Sequence, residues 1–159
     1  MPEPETLERA KRDAEEGKSP STQAGEFVRE EMDHIREGKH GAASPQQAIA
    51  IGLSKARRAG IKLPPPKHGS SKKVREQAAR DTAKGRSGKT STSRSRSRGS
   101  MRGLKRRGSS AALHAELSRF AKSAALRRGA ADRHRAAKAA AKARGRTRSR
   151  RAGKKGARK

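Results

Sequence analysis

The charge of this chain changes character at one place, the triple proline Pro64-Pro65-Pro66. Residues 1–66 hold 11 Lys and Arg against 11 Asp and Glu, so the whole formal charge of +28 lies in residues 67–159. Cations at that density repel one another and resist collapse unless buried apolar surface compensates. Little is on offer: 29% of the residues are hydrophobic, and Phe27 and Phe120 are the only aromatic side chains. The first part can hold a small fold, and the second is expected to stay largely unfolded when alone. The expected fold class is therefore mostly α with extensive disorder: a small helical hairpin followed by a cationic disordered tail with transient helices.

Hydrophobic spacing and cap residues place the elements. Thr6–Glu16 reads as a short helix with little to bury, stopped by Gly17. A second helix is expected from about Gly25 to Glu37, capped by Ser21 or Thr22 and stopped by Gly38, with Phe27, Val28, Met32 and Ile35 on one face. The third start is the best written: Ser44 as N-cap, Pro45 at the first helical position and Gln47 as capping-box partner. Ile49, Gly52, Leu53 and Ala56 form its stripe, and Gly60 ends it after the basic turn Lys55-Ala56-Arg57-Arg58. The core is assigned to Phe27, Val28, Met32, Ile35, Ile49, Leu53 and Leu63, small enough that a homodimer or a protein partner through residues 22–63 is expected to help.

Five segments follow. Residues 1–21 are a short helix and loop, and 22–63 the helical hairpin. Residues 64–108 are the proline spacer and a Gly/Ser/Arg-rich linker, with a transient helix at Val74–Lys84 and a disordered strip from Ser87. Residues 109–144 are basic Ala-rich helices, the first with Leu113, Leu117, Phe120 and Ala124 on one face, and 145–159 a basic tail.

Enzyme signals are weak. Ala83-Lys84-Gly85-Arg86-Ser87-Gly88-Lys89-Thr90 imitates a phosphate loop, but such a loop needs a strand before it and a helix after it, and neither neighbour fits. Gly17-Lys18-Ser19 has Arg12 where the first glycine belongs. With no cysteine there is no disulfide and no thiolate metal site. Of the histidines, His34 and His40 bracket a helix end and could in principle share a metal; solvated or phosphate-facing roles are preferred, and neither metal nor cofactor is assigned. The N-terminal residues show no secretory pattern and no segment has the apolar length to span a bilayer, which leads to the expectation of a non-enzymatic, cytoplasmic, nucleoid-associated protein without membrane contact.

The basic part carries the functional expectation. Its cations would contact phosphate: Arg94, Arg96, Arg98, Arg102, Lys105, Arg106 and Arg107 in the linker, Arg144 at the end of the Ala-rich helices, and Arg146, Arg148, Arg150, Arg151, Lys154 and Lys155 in the tail, with Arg57 and Arg58 extending the contact from the head. No aromatic platform exists for stacking unpaired bases, so the expected activity is histone-like binding to the DNA backbone without sequence preference. Two alternatives stand beside it: an RNA- or ribosome-associated basic protein, and an interaction or dimerisation module with a nucleoid-anchoring tail.

Three stretches carry resemblances. The block Lys18-Ser19-Pro20-Ser21-Thr22-Gln23-Ala24-Gly25-Glu26-Phe27-Val28-Arg29-Glu30-Glu31, continuing through His34-Ile35-Arg36-Glu37-Gly38-Lys39-His40-Gly41 and Gln47–Gly60, resembles a family of short, basic, functionally uncharacterised bacterial proteins. Some members carry names such as DNA-binding or plasmid stabilization protein. The resemblance, over residues 18–67, implies a bacterial origin and points to DNA, and it defines no residues to carry over. Residues 130–159 are similar in composition to the tails of linker histones, and the Arg-Ser alternation at 93–98 resembles RNA-associated arginine-serine segments.

Overall fold

A computed structural model of the chain describes residues 2–66, 70–88, 93–127, 129, 130 and 132–141. Its α-helices are α1 (Pro4–Glu15), α2 (Pro20–Arg36), α3 (Pro45–Arg58), α4 (Lys72–Ser87), α5 (Arg94–Lys105) and α6 (His114–Arg127), with a 3-10 turn at Ser110–Ala112. Residues 132–141 are helical as well. Among the described residues no helix is long and apolar enough to cross a membrane.

The cap chemistry explains the boundaries. Ser44 Oγ accepts from Gln47 N at 3.3 Å while Gln47 Oε1 accepts from Ala43 N at 2.8 Å, so α3 begins where the sequence places it. The same Ser-Pro pattern starts α2: Ser19 Oγ accepts from Thr22 N at 3.3 Å and Pro20 opens the first turn. That helix therefore begins five residues ahead of the expected Gly25. Gly17, Gly38 and Gly60 end the first three helices with φ of 69°, 73° and 92°.

Two apolar clusters build residues 1–117, the first of two compact units. Phe27 on α2 meets Ala10 on α1, Ala24 and Ala56, with Leu53, Ile61 and Leu63 around them. Met32 and Ile35 meet Ala42, Ala48, Ala111 and Ala112, backed by Val28, Ile49 and Leu117. All seven expected core residues take part. Sequence spacing does not anticipate the alanines of α1 and of the 3-10 turn, because an alanine signals burial only once a neighbour covers it. Helices α2 and α3 pack directly on each other at Gly52, where a Cβ would stand 2.7 Å from Val28 Cα.

The expectation of extensive disorder after the prolines is overturned. Helix α4 replaces the transient segment, and α5 occupies the strip read as disordered. Arginine and lysine are good helix formers, and Ser71 caps α4 by accepting from Val74 N at 3.4 Å. Buried Asp81 ties α4 to α3: it accepts from Ser54 Oγ at 2.5 Å and pairs with Arg58 Nε at 3.3 Å. At the end of α5 and just past it the chain is stitched to the α2–α3 loop by its backbone, with Gly41 N on Leu104 O at 3.1 Å and Ala42 N on Gly108 O at 3.3 Å. The linker of residues 64–108 thus contains two helices and a docking segment. The second unit, residues 118–159, comprises the end of α6 and the helical residues 132–141 as far as it is described.

Candidate nucleic-acid interface and a buried carboxylate cluster

Helix α5 buries no residue. At 100° per residue, Arg94, Arg98, Arg102 and Lys105 fall within about 80° of one another, a single basic stripe, with Arg96 on the far side. Successive arginines of the stripe rise about 6 Å, close to two phosphate steps of about 3.4 Å along one DNA strand. All of these side chains are exposed, as are Arg106 and Arg107 just beyond, and none has an ion-pair partner among the described residues. Exposed Lys73, Lys84 and Arg86 on α4 add to the basic surface, although the sequence reading gave them no role.

The two head arginines are differently placed. Arg57 is buried at 8% exposure, with Nη2 on Pro64 O at 2.8 Å, where it fastens the spacer to α3 and presents nothing to a phosphate. Arg58 is exposed but engaged with Asp81 and, through Nη2 at 2.8 Å, with Ser54 Oγ. Arg144, Arg146, Arg148, Arg150, Arg151, Lys154 and Lys155 lie outside the described residues. The imitation phosphate loop does not form as one: Ala83–Ser87 are the last turn of α4, and Gly88 closes it with φ 63°.

A second polar arrangement sits inside the head. Glu30 and Glu31 are 3% and 0% exposed, and Lys55 reaches in from α3, its Nζ 2.8 Å from Glu30 Oε1 and 2.9 Å from Glu31 Oε2. Burial alone would push the Glu30 carboxyl up, but hydrogen bonds from Lys55 and from Glu3 N outweigh it and hold the group below the usual glutamate range. Burial would likewise lower Lys55, and its two carboxylate partners instead hold the ammonium above the usual lysine value. On the other side of Glu31, His40 Nε2 is 3.4 Å from Oε1. Both oxygens of Glu31 are thus within ion-pair reach of a nitrogen, yet neither receives a well-aligned hydrogen bond. His34 stands beside them, its ring centroid 5.9 Å from that of His40 and its Nε2 2.8 Å from Glu3 Oε1. One donor atom each from Glu31, His34 and His40 lies within 4.8 Å of the other two.

Sequence reasoning paired the two histidines and missed Glu31. The signal is present as Glu31-Met32-Asp33-His34, a Glu and a His three residues apart and hence on one helix face, a spacing that helical bundles use for metal ligands.

Residues 17–68 match a family of unknown function (DUF6496), over the same block as the resemblance drawn from the sequence. No curated protein matches the chain, and no solved structure does. The description of the family carries no function, so a functional reading rests on charge and geometry.

Proposed function

We propose that this protein binds the backbone of nucleic acid without reading its sequence, with duplex DNA as the favoured form, and that it neutralises and compacts DNA in the nucleoid of a bacterial cytoplasm. The observation that carries the reading is α5. A helix that buries nothing, sets four cations in one stripe and pairs none of them has no evident structural use for its charge. Phosphate would supply the missing anions, and each contact would release condensed counterions. The single described aromatic outside the core, Phe120, offers no stacking platform, which favours duplex over unpaired strands. The cations of residues 144–155 extend the same chemistry.

The test is a salt titration of the full chain and of the variant R94Q/R98Q/R102Q/K105Q against matched duplex DNA and structured RNA. Ten engaged phosphates would give a log–log slope of about −9 on duplex DNA, and losing four of them would flatten it by about 3.6. An unchanged slope in a variant that keeps its helical circular dichroism would remove α5 from the interface. A clear preference for the RNA at equal salt would replace DNA as the ligand.

A further inference from the structure

We infer that Glu31, His34 and His40 form a binding site for one divalent transition metal of the zinc type, with three protein ligands and a fourth position left to water. The inference is independent of the nucleic-acid reading, since none of these residues belongs to the basic surface.

Glu31 supplies the first reason. It follows Phe27 and precedes Ile35 by four residues each, so it sits on the face that α2 turns to the core, and a carboxylate fully removed from water needs compensation. Lys55 attends to Oε2, but Oε1 faces only His40 Nε2 at 3.4 Å. No well-aligned hydrogen bond joins the two. Their separation matches the edge of a tetrahedron whose metal–ligand bonds are about 2.1 Å, which comes to about 3.4 Å.

The imidazoles supply the second. In metal sites a ligating histidine fixes its tautomer by donating its other ring N–H to a carboxylate or a backbone carbonyl. Both histidines have such a partner: His34 Nε2 contacts Glu3 Oε1 at 2.8 Å, and His40 Nδ1 approaches Gly41 O at 3.4 Å. In each ring the remaining nitrogen then carries the lone pair. His40 is buried and His34 half-buried, and a polar cleft lined by Glu3, Arg9, Arg29, Glu30, Asp33 and Lys39 reaches His34.

Charge agrees. Glu3, Glu30, Glu31 and Glu37 face two ammonium groups, Lys39 and Lys55, which leaves an excess of negative charge beside two imidazoles. Lys55 and Glu3 would then orient ligands rather than serve as ligands. The ligand set, two nitrogens and one carboxylate oxygen, suits zinc better than calcium or magnesium.

The full chain, stripped with EDTA and dialysed, is titrated with zinc chloride by calorimetry and with cobalt(II) by visible absorption. One saturable equivalent is expected, lost in His40→Gln and at least tenfold weaker in His34→Gln. Glu3→Ala, which removes the anchor of His34 together with its ion pair to Lys39, should weaken binding by roughly 10- to 100-fold. His114→Gln and His134→Gln, which alter exposed histidines elsewhere, should bind as the parent chain does. His34 is partly exposed, so His34→Gln decides the matter should His40→Gln fail to fold. No saturable equivalent, or equal affinity in His34→Gln, would overturn the site and leave the cluster a buried ion-pair network alone.

Discussion

Between Phe27 and Ile35, in the middle of the buried face of α2, stands a glutamate. Its neighbour Glu30 shares Lys55, and the three groups depend on one another for charge. Glu30 titrates below the ordinary 4.5, so its contribution to stability is present above that value and is lost as the pH falls through the lower folded-state pKa. Lys55 titrates above 10.5, so its contribution is present below that value and is lost as the pH rises through the raised one. Lys55→Met strands two buried carboxylates and should cost about 3–5 kcal/mol near neutral pH. Urea midpoints taken in EDTA should show the gap to the parent chain closing as the pH drops toward that of carboxyl protonation, where the charge stranded on Glu30 is lost; a gap independent of pH would contradict this. The sequence does not disclose the arrangement. Periodicity selects apolar residues and passes over a carboxylate at a core position, while its ammonium partner is assigned to the end of α3 and becomes visible only when the two helices pack.

At the scale of elements, helix starts were legible where a cap and a proline coincide. Ser44-Pro45 shows this, and Ser19-Pro20 carries the same pattern, so the late start expected for α2 undervalued a signal already present. Helix α4 was half legible. Its propensity was clear, but its attachment depends on Asp81 meeting Ser54 and Arg58 from another helix, which local pattern cannot show. A glycine makes that approach possible: a Cβ at Gly85 would lie 2.1 Å from Arg57 O. Gly85→Ala should lift α4 from α3. Hydrogen exchange should then become fast across Lys72–Ser87 while α2 and α3 keep their protection. Since α4 buries little besides Asp81, global stability should fall by only about 1–3 kcal/mol. Continued slow exchange in α4 would mean that the contact yields without releasing the helix. In α5 the Gly and Ser content points to an unfolded strip, but seven of its twelve residues are Arg, Lys, Met or Leu, which favour helix.

At the scale of the molecule, the change in charge and the edge of the fold do not coincide. The prolines mark the first, and the compact unit runs on to Leu117. Ala111 and Ala112, 45 residues and more past the spacer, cover Met32 and Ile35. A fragment of residues 1–117 should therefore melt cooperatively and at a higher temperature by circular dichroism than residues 1–66, which lose that cover together with Asp81; equal melting temperatures would return the boundary to the prolines. The joint that brings this cover into place has a lopsided grammar. On one side stands Gly41, where a Cβ would lie 1.9 Å from Arg107 O, and no larger residue fits there. On the other side only the main-chain oxygens of Leu104 and Gly108 are used, so the side chains of residues 105–107 are not read by the seam at all. Those three positions are free to change in kind and reach, and the chain can retune its basic surface there without renegotiating how that surface is fastened to the head.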